Sequence, residues 1–338
     1  AIYLAPGVYS PSTSGEKFPI VPPDYVHLIG EESENTILDA ESDAENEVAV
    51  IIIKVVENVR IANLTLTGGS SESYGCTGGG GIQVSYDGLP VEATDEWRAR
   101  VDLAAIYRLT HYYGWTSVVY NHITLRIPDT DTFLINPFGL RYDEINASNL
   151  IKIDLDGNKI DGDKWPINQA GYNIHSAIHK ARNKDLHCVM HTHEPMSQTI
   201  AALKDKVIPM FQEACQLYER VGYHDFEGIV LDASEKKRLV KSLGKSNHTL
   251  VLRNHGLITA GPSAIWAFAR HQVFVRNAEV QLRAMSSGGK IIKIPKKVMI
   301  HTRKQFEDGA AQGGAEVRHP EWPAYWRLLD KIDPGWKK

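Results

Sequence analysis

Residues 188–193 read Cys188-Val189-Met190-His191-Thr192-His193, an apolar run that ends in two histidines one residue apart. Residues 250–256 repeat the theme, with Leu250-Val251-Leu252 running into Arg253-Asn254-His255-Gly256. Both runs have strand length and strand composition. Alternation along a strand places residues i and i+2 on one face, so His191 and His193 are expected to point the same way. A third imidazole, His255, at the mouth of a second strand completes a three-nitrogen corner. That is a ligand set that holds catalytic zinc, or another divalent metal, with one coordination position left open. The spacing alone leaves a second reading open, in which the histidines are hydrogen-bonded core residues, because no rule fixes the distance from the pair to His255.

Outward from these strands, helical and extended segments interleave. Thr94 before Asp95-Glu96 predicts a capped helix start. Trp97, Val101, Ala104, Ala105, Leu109 and Tyr112 follow at helical spacing, and Gly114 ends the helix. Strands are expected over 117–120, 123–127, 133–135 and 150–155. Helices are expected over 174–182, from Pro195, over 234–243 and over 263–285. This part, 94–338, is therefore α/β, with its site at strand ends.

Residues 1–88 are different. Short strands such as Ile2-Tyr3-Leu4, Tyr25 to Gly30, Asn35 to Leu38, Val48 to Val56 and Val59 to Thr67 alternate with Gly, Pro and Asn turns and show no helical period. That pattern suggests an all-β stacked solenoid of three or four coils, and residues 89–93 read as a linker. The acidic run from Glu41 to Glu47 is a solvated loop rather than a cation site. Charge divides the same way: residues 1–90 carry 13 Asp/Glu against 3 Lys/Arg, whereas the whole chain of 338 residues has a net charge of −4. Of 14 histidines, only His27 lies in that first stretch.

No apolar stretch approaches the roughly 20 residues that cross a bilayer. Three scattered cysteines do not make a disulfide framework, so a reducing, cytoplasmic setting is expected. The chain starts Ala1-Ile2-Tyr3 without Met, which fits processing or a fragment. The basic run Lys290 to Lys297 is too short and isolated to argue for nucleic acid.

The phrases Ile2 to Tyr9 and Asn58 to Gly69 resemble the opening coils of pectin-lyase-like right-handed parallel β-helices. More of the chain resembles the class II aldolase/adducin family, in the adducin-like branch. The resemblance rests on Trp97 to Arg108 with Tyr112-Tyr113-Gly114-Trp115, on Tyr120 to Thr124, and on Phe133 to Gly139. It continues through Asn168 to Gly171, His175 to His179, His191-Thr192-His193 and Arg253 to Leu257. It implies a three-layer αβα fold, a homo-oligomer (often a fourfold ring) with sites at subunit interfaces, and zinc on His191, His193 and His255. The chemistry implied is that of a lyase or isomerase acting beside a carbonyl of a small hydroxy or keto substrate through a metal-stabilised enolate. Asn121, Asn136, Gly139, Asn168 and Gln169 stand in the matching loops as substrate contacts.

The departures are specific. The family's enzymes carry an acidic residue four positions before the histidine matching His175, and here that position is Gly171. A Ser-Ser pair that helps hold substrate phosphate reads Asn168-Gln169, and the small-residue phosphate loop reads Tyr120-Asn121-His122. A phosphorylated sugar is thus not the expected substrate. Replacement proton carriers are His224, beside Asp225, and Glu194, although alternation turns Glu194 away from His193. His175 and His179 read as packing beneath the metal strand. The aromatic tail His319 to Trp326 either docks on its own domain or closes over a neighbouring subunit. The alternative function is a non-catalytic adducin-like scaffold with an actin- or spectrin-type partner.

Overall fold

The computed structural model describes residues 2–18, 20, 26–41, 50–54, 61–62, 64–67, 82–85, 94–162, 164–229, 233–308 and 321–338. The chain forms two compact units, Ala1–Ala93 and Thr94–Lys338.

The first unit contains β1 (Ile2–Leu4), β2 (Gly7–Tyr9), β3 (Leu28–Gly30), β4 (Thr36–Asp39), β5 (Ile51–Lys54), β6 (Ile61–Ala62), β7 (Thr65–Thr67) and β8 (Ile82–Ser85). Every strand pairing among them is parallel, in the orders β1-β3-β6, β2-β4-β7 and β5-β8. Successive rungs thus stack one strand on the next, as in a solenoid. Leu28, Leu38, Ala40, Val50 and Ile51 fill the inside, with Leu4, Ile61 and Leu66 packed against them. Tyr25, the two ends of the expected strand Val48 to Val56, the first two residues of the one expected from Val59, the Asn63 bend, Gly78 to Gly81, the bulk of the acidic run, the linker and His319-Pro320 lie outside the described residues.

The second unit runs α1 (Asp95–Tyr112), β9 (His122–Arg126), β10 (Thr132–Ile135), β11 (Ile151–Asp154), β12 (Lys159–Asp161), α2 (Gln169–Ala181), β13 (Cys188–Thr192) and α3 (Pro195–Ala202). It continues through β14 (Val221–His224), α4 (Ala233–Leu243), β15 (Thr249–Leu252), β16 (Gly256–Gly261), α5 (Ala264–Ser286), α6 (Lys296–Glu307) and α7 (Glu321–Ile332). Its strands form one sheet in the order β12-β11-β10-β9-β13-β16-β15-β14, antiparallel except for the β14–β15 pair.

Strand alternation sorts the two faces. Val189 of β13 packs with Ile174 and Ile178 of α2 and with Leu239 and Leu243 of α4. On the other face, Thr192 of β13 and Thr259 of β16 hydrogen-bond His271 of α5 at 2.8 and 3.0 Å. On β9, the Tyr107 hydroxyl of α1 receives the Ile123 N–H at 2.9 Å. The result is the expected three-layer αβα sandwich. Among the described residues, no helix is long and apolar enough to cross a membrane.

Local chemistry explains the boundaries. The Thr94 hydroxyl accepts the Trp97 N–H and starts α1, and Gly114, at φ +72°, follows its end. Residues 117–120, expected as a strand, form a turn closed by the Tyr120 N–H on the Ser117 carbonyl, with Val118 at φ +47°. The neighbouring β9 is already flanked on both edges by β10 and β13, so no ladder position is left for them. Helix α2 starts at Gln169 rather than 174, because the Asn168 side chain caps it by accepting the Gly171 N–H. The tail docks on its own unit: Trp322 Nε1 donates to Asp102 at 3.2 Å, Tyr325 bonds Gln272, and Trp336 is fully buried.

Candidate metal centre

His191 is the second-last residue of β13, His193 follows the strand, and His255 sits in the three-residue turn joining β15 to β16. That turn needs one left-handed residue, and Asn254 supplies it at φ +54°. Because β13 pairs with β16, the turn delivers His255 beside the end of β13. The three rings form a nearly equilateral triangle, with centroid separations of 4.8, 4.8 and 4.9 Å. One ligand nitrogen from each lies within 4.8 Å of the others, and the Nε2 atoms of His191 and His193 are 2.9 Å apart. A tetrahedral ion about 2.0–2.1 Å from each nitrogen requires spacings inside that range.

Protonation also favours a ligand role. His191 Nδ1 lies 3.0 Å from the Leu257 carbonyl, which can only accept, so the ring proton sits on Nδ1 and Nε2 presents a lone pair. Burial, reinforced by the neighbouring imidazoles of His122 and His255, holds His191 well below the ordinary histidine range. Burial likewise lowers His193, and burial with His193 brings His255 to about 4. All three rings are therefore neutral near pH 7 and release no proton on taking up a cation.

One glycine makes room for the triangle and another for a fourth imidazole beside it. A Cβ on Gly256 would lie 2.4 Å from the Thr192 carbonyl oxygen, 3.1 Å from the His193 ring and 3.2 Å from the His191 ring. A Cβ on Gly171 would lie 2.2 Å from His122 Nε2. His122 is the residue that sequence reasoning missed. It starts β9, pairs with His191 across the sheet, and its ring centroid is 4.9 Å from that of His191. It thus fills the space at position 171 where the family's enzymes carry a carboxylate. The available signal was a histidine opening an apolar strand, the mirror image of His191 closing one.

A buried chain orients His122. His179 Nδ1 must donate to the Leu186 carbonyl at 3.2 Å, so its Nε2 accepts from the Thr124 hydroxyl at 2.8 Å. Thr124 oxygen then accepts from His175 Nδ1 at 2.8 Å, and His175 Nε2 accepts from His122 Nδ1 at 2.9 Å. His122 Nε2 is left as a bare acceptor. Burial, with His193 and His255, lowers His122 to about 3, so the ring is uncharged at neutral pH.

The other sequence candidates are placed as follows. Asn121 accepts the His193 N–H at 3.3 Å and donates to the Trp115 carbonyl at 2.9 Å, bracing the end of β13 from within the loop before β9. Asn136 is buried against the Tyr107 hydroxyl at 2.9 Å. Gly139, at φ +117°, turns against Trp165. Asn168 is spent on its cap and Gln169 is the first residue of α2. Glu194 caps α3: its two oxygens accept the Met196 and Ser197 N–H groups at 2.8 and 2.7 Å. His224 shares a small cavity with His255, bonds Ser242 through Nδ1 at 3.1 Å, and holds Nε2 3.6 Å from Glu235.

Comparison with known proteins gives the family. Residues 101–282 match the model of the class II aldolase and adducin N-terminal domain, and residues 1–76 match a family of unknown function. A Pseudomonas aeruginosa protein named for aldolase class 2 is 40% identical over 243 residues, covering 72% of this chain and 93% of that protein. Rat alpha-adducin is 37% identical over 244 residues, covering 69% of this chain but only 33% of adducin. The L-fuculose 1-phosphate aldolase of Glaciozyma antarctica superposes with a TM-score of 0.63 at 26% identity, over 75% of this chain and 98% of that one. The match of residues 101–282 to the family model and the 40% identity to the Pseudomonas aeruginosa protein show that the chain belongs to the class II aldolase/adducin family.

Proposed function

We propose that the chain is a divalent-metal lyase or isomerase, zinc being the preferred ion, that acts beside the carbonyl of a small hydroxy or keto substrate. The triangle of neutral imidazoles at His191, His193 and His255 carries this reading. A cation held there supplies Lewis-acid stabilisation of the negative charge that develops when a bond beside a carbonyl breaks. The protein's own groups set the rest. Leu257 fixes the tautomer of His191, and Asn121 holds the His193 backbone. His122 Nε2, in the space that Gly171 leaves, offers a hydrogen-bond acceptor to a substrate hydroxyl beside the triangle. With an uncharged imidazole there and no Ser-Ser pair at 168–169, an unphosphorylated substrate fits better than a sugar phosphate. By relation to its family, the working form is a homo-oligomer.

Metal analysis of the purified protein, followed by aldol-cleavage and decarboxylation screens with and without chelator, tests the proposal. About one divalent ion per chain is expected, lost in His191→Ala, together with chelator-sensitive turnover. A correctly folded protein that takes up no zinc would overturn it. The kinship to alpha-adducin supports a second reading, a scaffold without turnover. Metal retention with no activity on any substrate, and co-sedimentation with actin or spectrin, would favour that one.

A further inference from the structure

A second cavity, of about 470 Å³, lies at the other end of the sheet from the histidine triangle. It opens where Leu186 leads into β13, His248 into β15, and Pro262 leaves β16. Its volume is that of an ordinary small-molecule site. Its wall is cationic: Arg182, Lys184, Arg220, Arg270 and Arg303 face two carboxylates, Asp185 and Glu307.

Three of these guanidinium groups are held by the protein. Arg182 pairs with Asp185 and donates to the Gly244 and Asn247 carbonyls at 3.0 Å. Arg220 pairs with Glu307 at 2.7 Å. Arg303 reaches Glu219 at 3.2 Å and the Tyr218 carbonyl at 3.0 Å. Yet among the described residues Arg303 Nε, on a side chain only 9% exposed, has no hydrogen-bond partner; a Glu307 carboxylate oxygen is 3.7 Å away.

Arg270 is the outlier. Among the described residues its hydrogen bond is to one backbone oxygen, that of Ala260 at 2.5 Å, and no carboxylate lies within ion-pair distance. Its guanidinium stands 5.6 Å from the Trp266 ring centroid. Burial pulls its pKa down to about 10, which still leaves it fully charged near pH 7. Asp185 and Glu307 act on Arg270 only from a distance, being paired with Arg182 and Arg220, so the guanidinium has donors left for an anion that enters the cavity. A guanidinium fork matches a phosphoryl group in geometry, and the Trp266 and Phe306 rings add an apolar wall beside it.

We propose that this cavity binds the phosphoryl group of a small organic phosphate, with Arg270 as its anchor and Lys184 at its exposed rim. The site is separate from the metal centre, so the two readings stand or fall independently.

Calorimetry with inorganic phosphate and with adenosine monophosphate, on protein stripped of metal by chelator, tests it. Saturable binding is expected without metal, tighter for the nucleotide if the aromatic wall contributes, and weakened by salt. Arg270→Gln should weaken it about tenfold or more, the loss expected for one charge-assisted contact. Should Arg270→Gln fold poorly, the exposed Lys184→Glu replaces it and should weaken binding severalfold. No saturable binding by stripped wild-type protein, or equal affinity in both variants (an adventitious ion only), overturns the proposal. Phosphate binding that appears only with metal would assign it to the histidine centre, sinking this inference and leaving the metal reading intact.

Discussion

At the scale of single residues, the histidine triangle and the neighbouring His122 each depend on what one glycine leaves out. A methyl group on Gly256 meets the Thr192 carbonyl oxygen, a backbone atom at the edge of the β13–β16 ladder that cannot swing aside. Gly256→Ala is therefore expected to destabilise the fold by about 1–3 kcal/mol and to weaken zinc binding, as read by denaturant melts and chelator competition. Native stability with native zinc affinity would contradict the packing described. Gly171→Ala meets a movable ring instead, that of His122, and must break its 2.9 Å bond to His175. Its cost, about 1–3 kcal/mol in the wild-type background, should largely vanish in a His122→Ala background, because the two substitutions share one space. Strict additivity of the pair would refute that. The contrast shows what a sequence can disclose. His191 and His193 were legible because strand alternation is local. His122 was not, because its role depends on the absence of a side chain 49 positions away, at 171, and on tautomers set by the carbonyl of Leu186.

At the scale of elements, legibility followed the range of the controlling interaction. Helices α1, α3, α4 and α5 were predictable, since caps such as Thr94 and the Pro195 start act within a turn. Strands β14 and β16 were not anticipated: β16 follows directly on the site turn, and only its pairing with β13 and β15 defines it. The turn at 117–120 failed as a strand for the converse reason, since β-forming residues need a free ladder edge. Glu194 was offered as a proton carrier on its chemistry, although alternation turned it away from His193; its position, directly before Pro195, makes it the cap of α3. Glu194→Ala is expected to cost roughly 1 kcal/mol of stability, in the range of lost N-caps. Turnover per folded molecule should stay unchanged, checked by comparing melting curves with kcat. A large loss of kcat at unchanged stability would return Glu194 to the list of proton carriers.

At the scale of the whole molecule, Ala1–Ala93 and Thr94–Lys338 carry separate cores, so removal of residues 1–93 should leave a soluble, metal-binding protein; an insoluble product would refute this. The second unit also buries several imidazoles, and that gives it a pH signature. His179 and His271, neither of them in the metal triangle, are both held to about 3 by burial. His271 has each nitrogen satisfied by a threonine hydroxyl, so its neutral form is the one the fold binds. In the unfolded chain these rings take up a proton near pH 6.5. Between that pH and about 3 the unfolded state binds more protons, so stability falls as pH falls and is flat above the window. Each fully buried ring contributes a slope approaching about 1.4 kcal/mol per pH unit in that window, before any relaxation of the fold. Metal-stripped protein should therefore melt at a clearly lower temperature at pH 5 than at pH 7.5, with little difference between pH 7.5 and 8.5. His271→Asn should be less stable at pH 7.5 yet show a shallower acid slope. Equal melting temperatures at pH 5 and 7.5 would mean that these rings are solvated, and with them the interior from which the site is built.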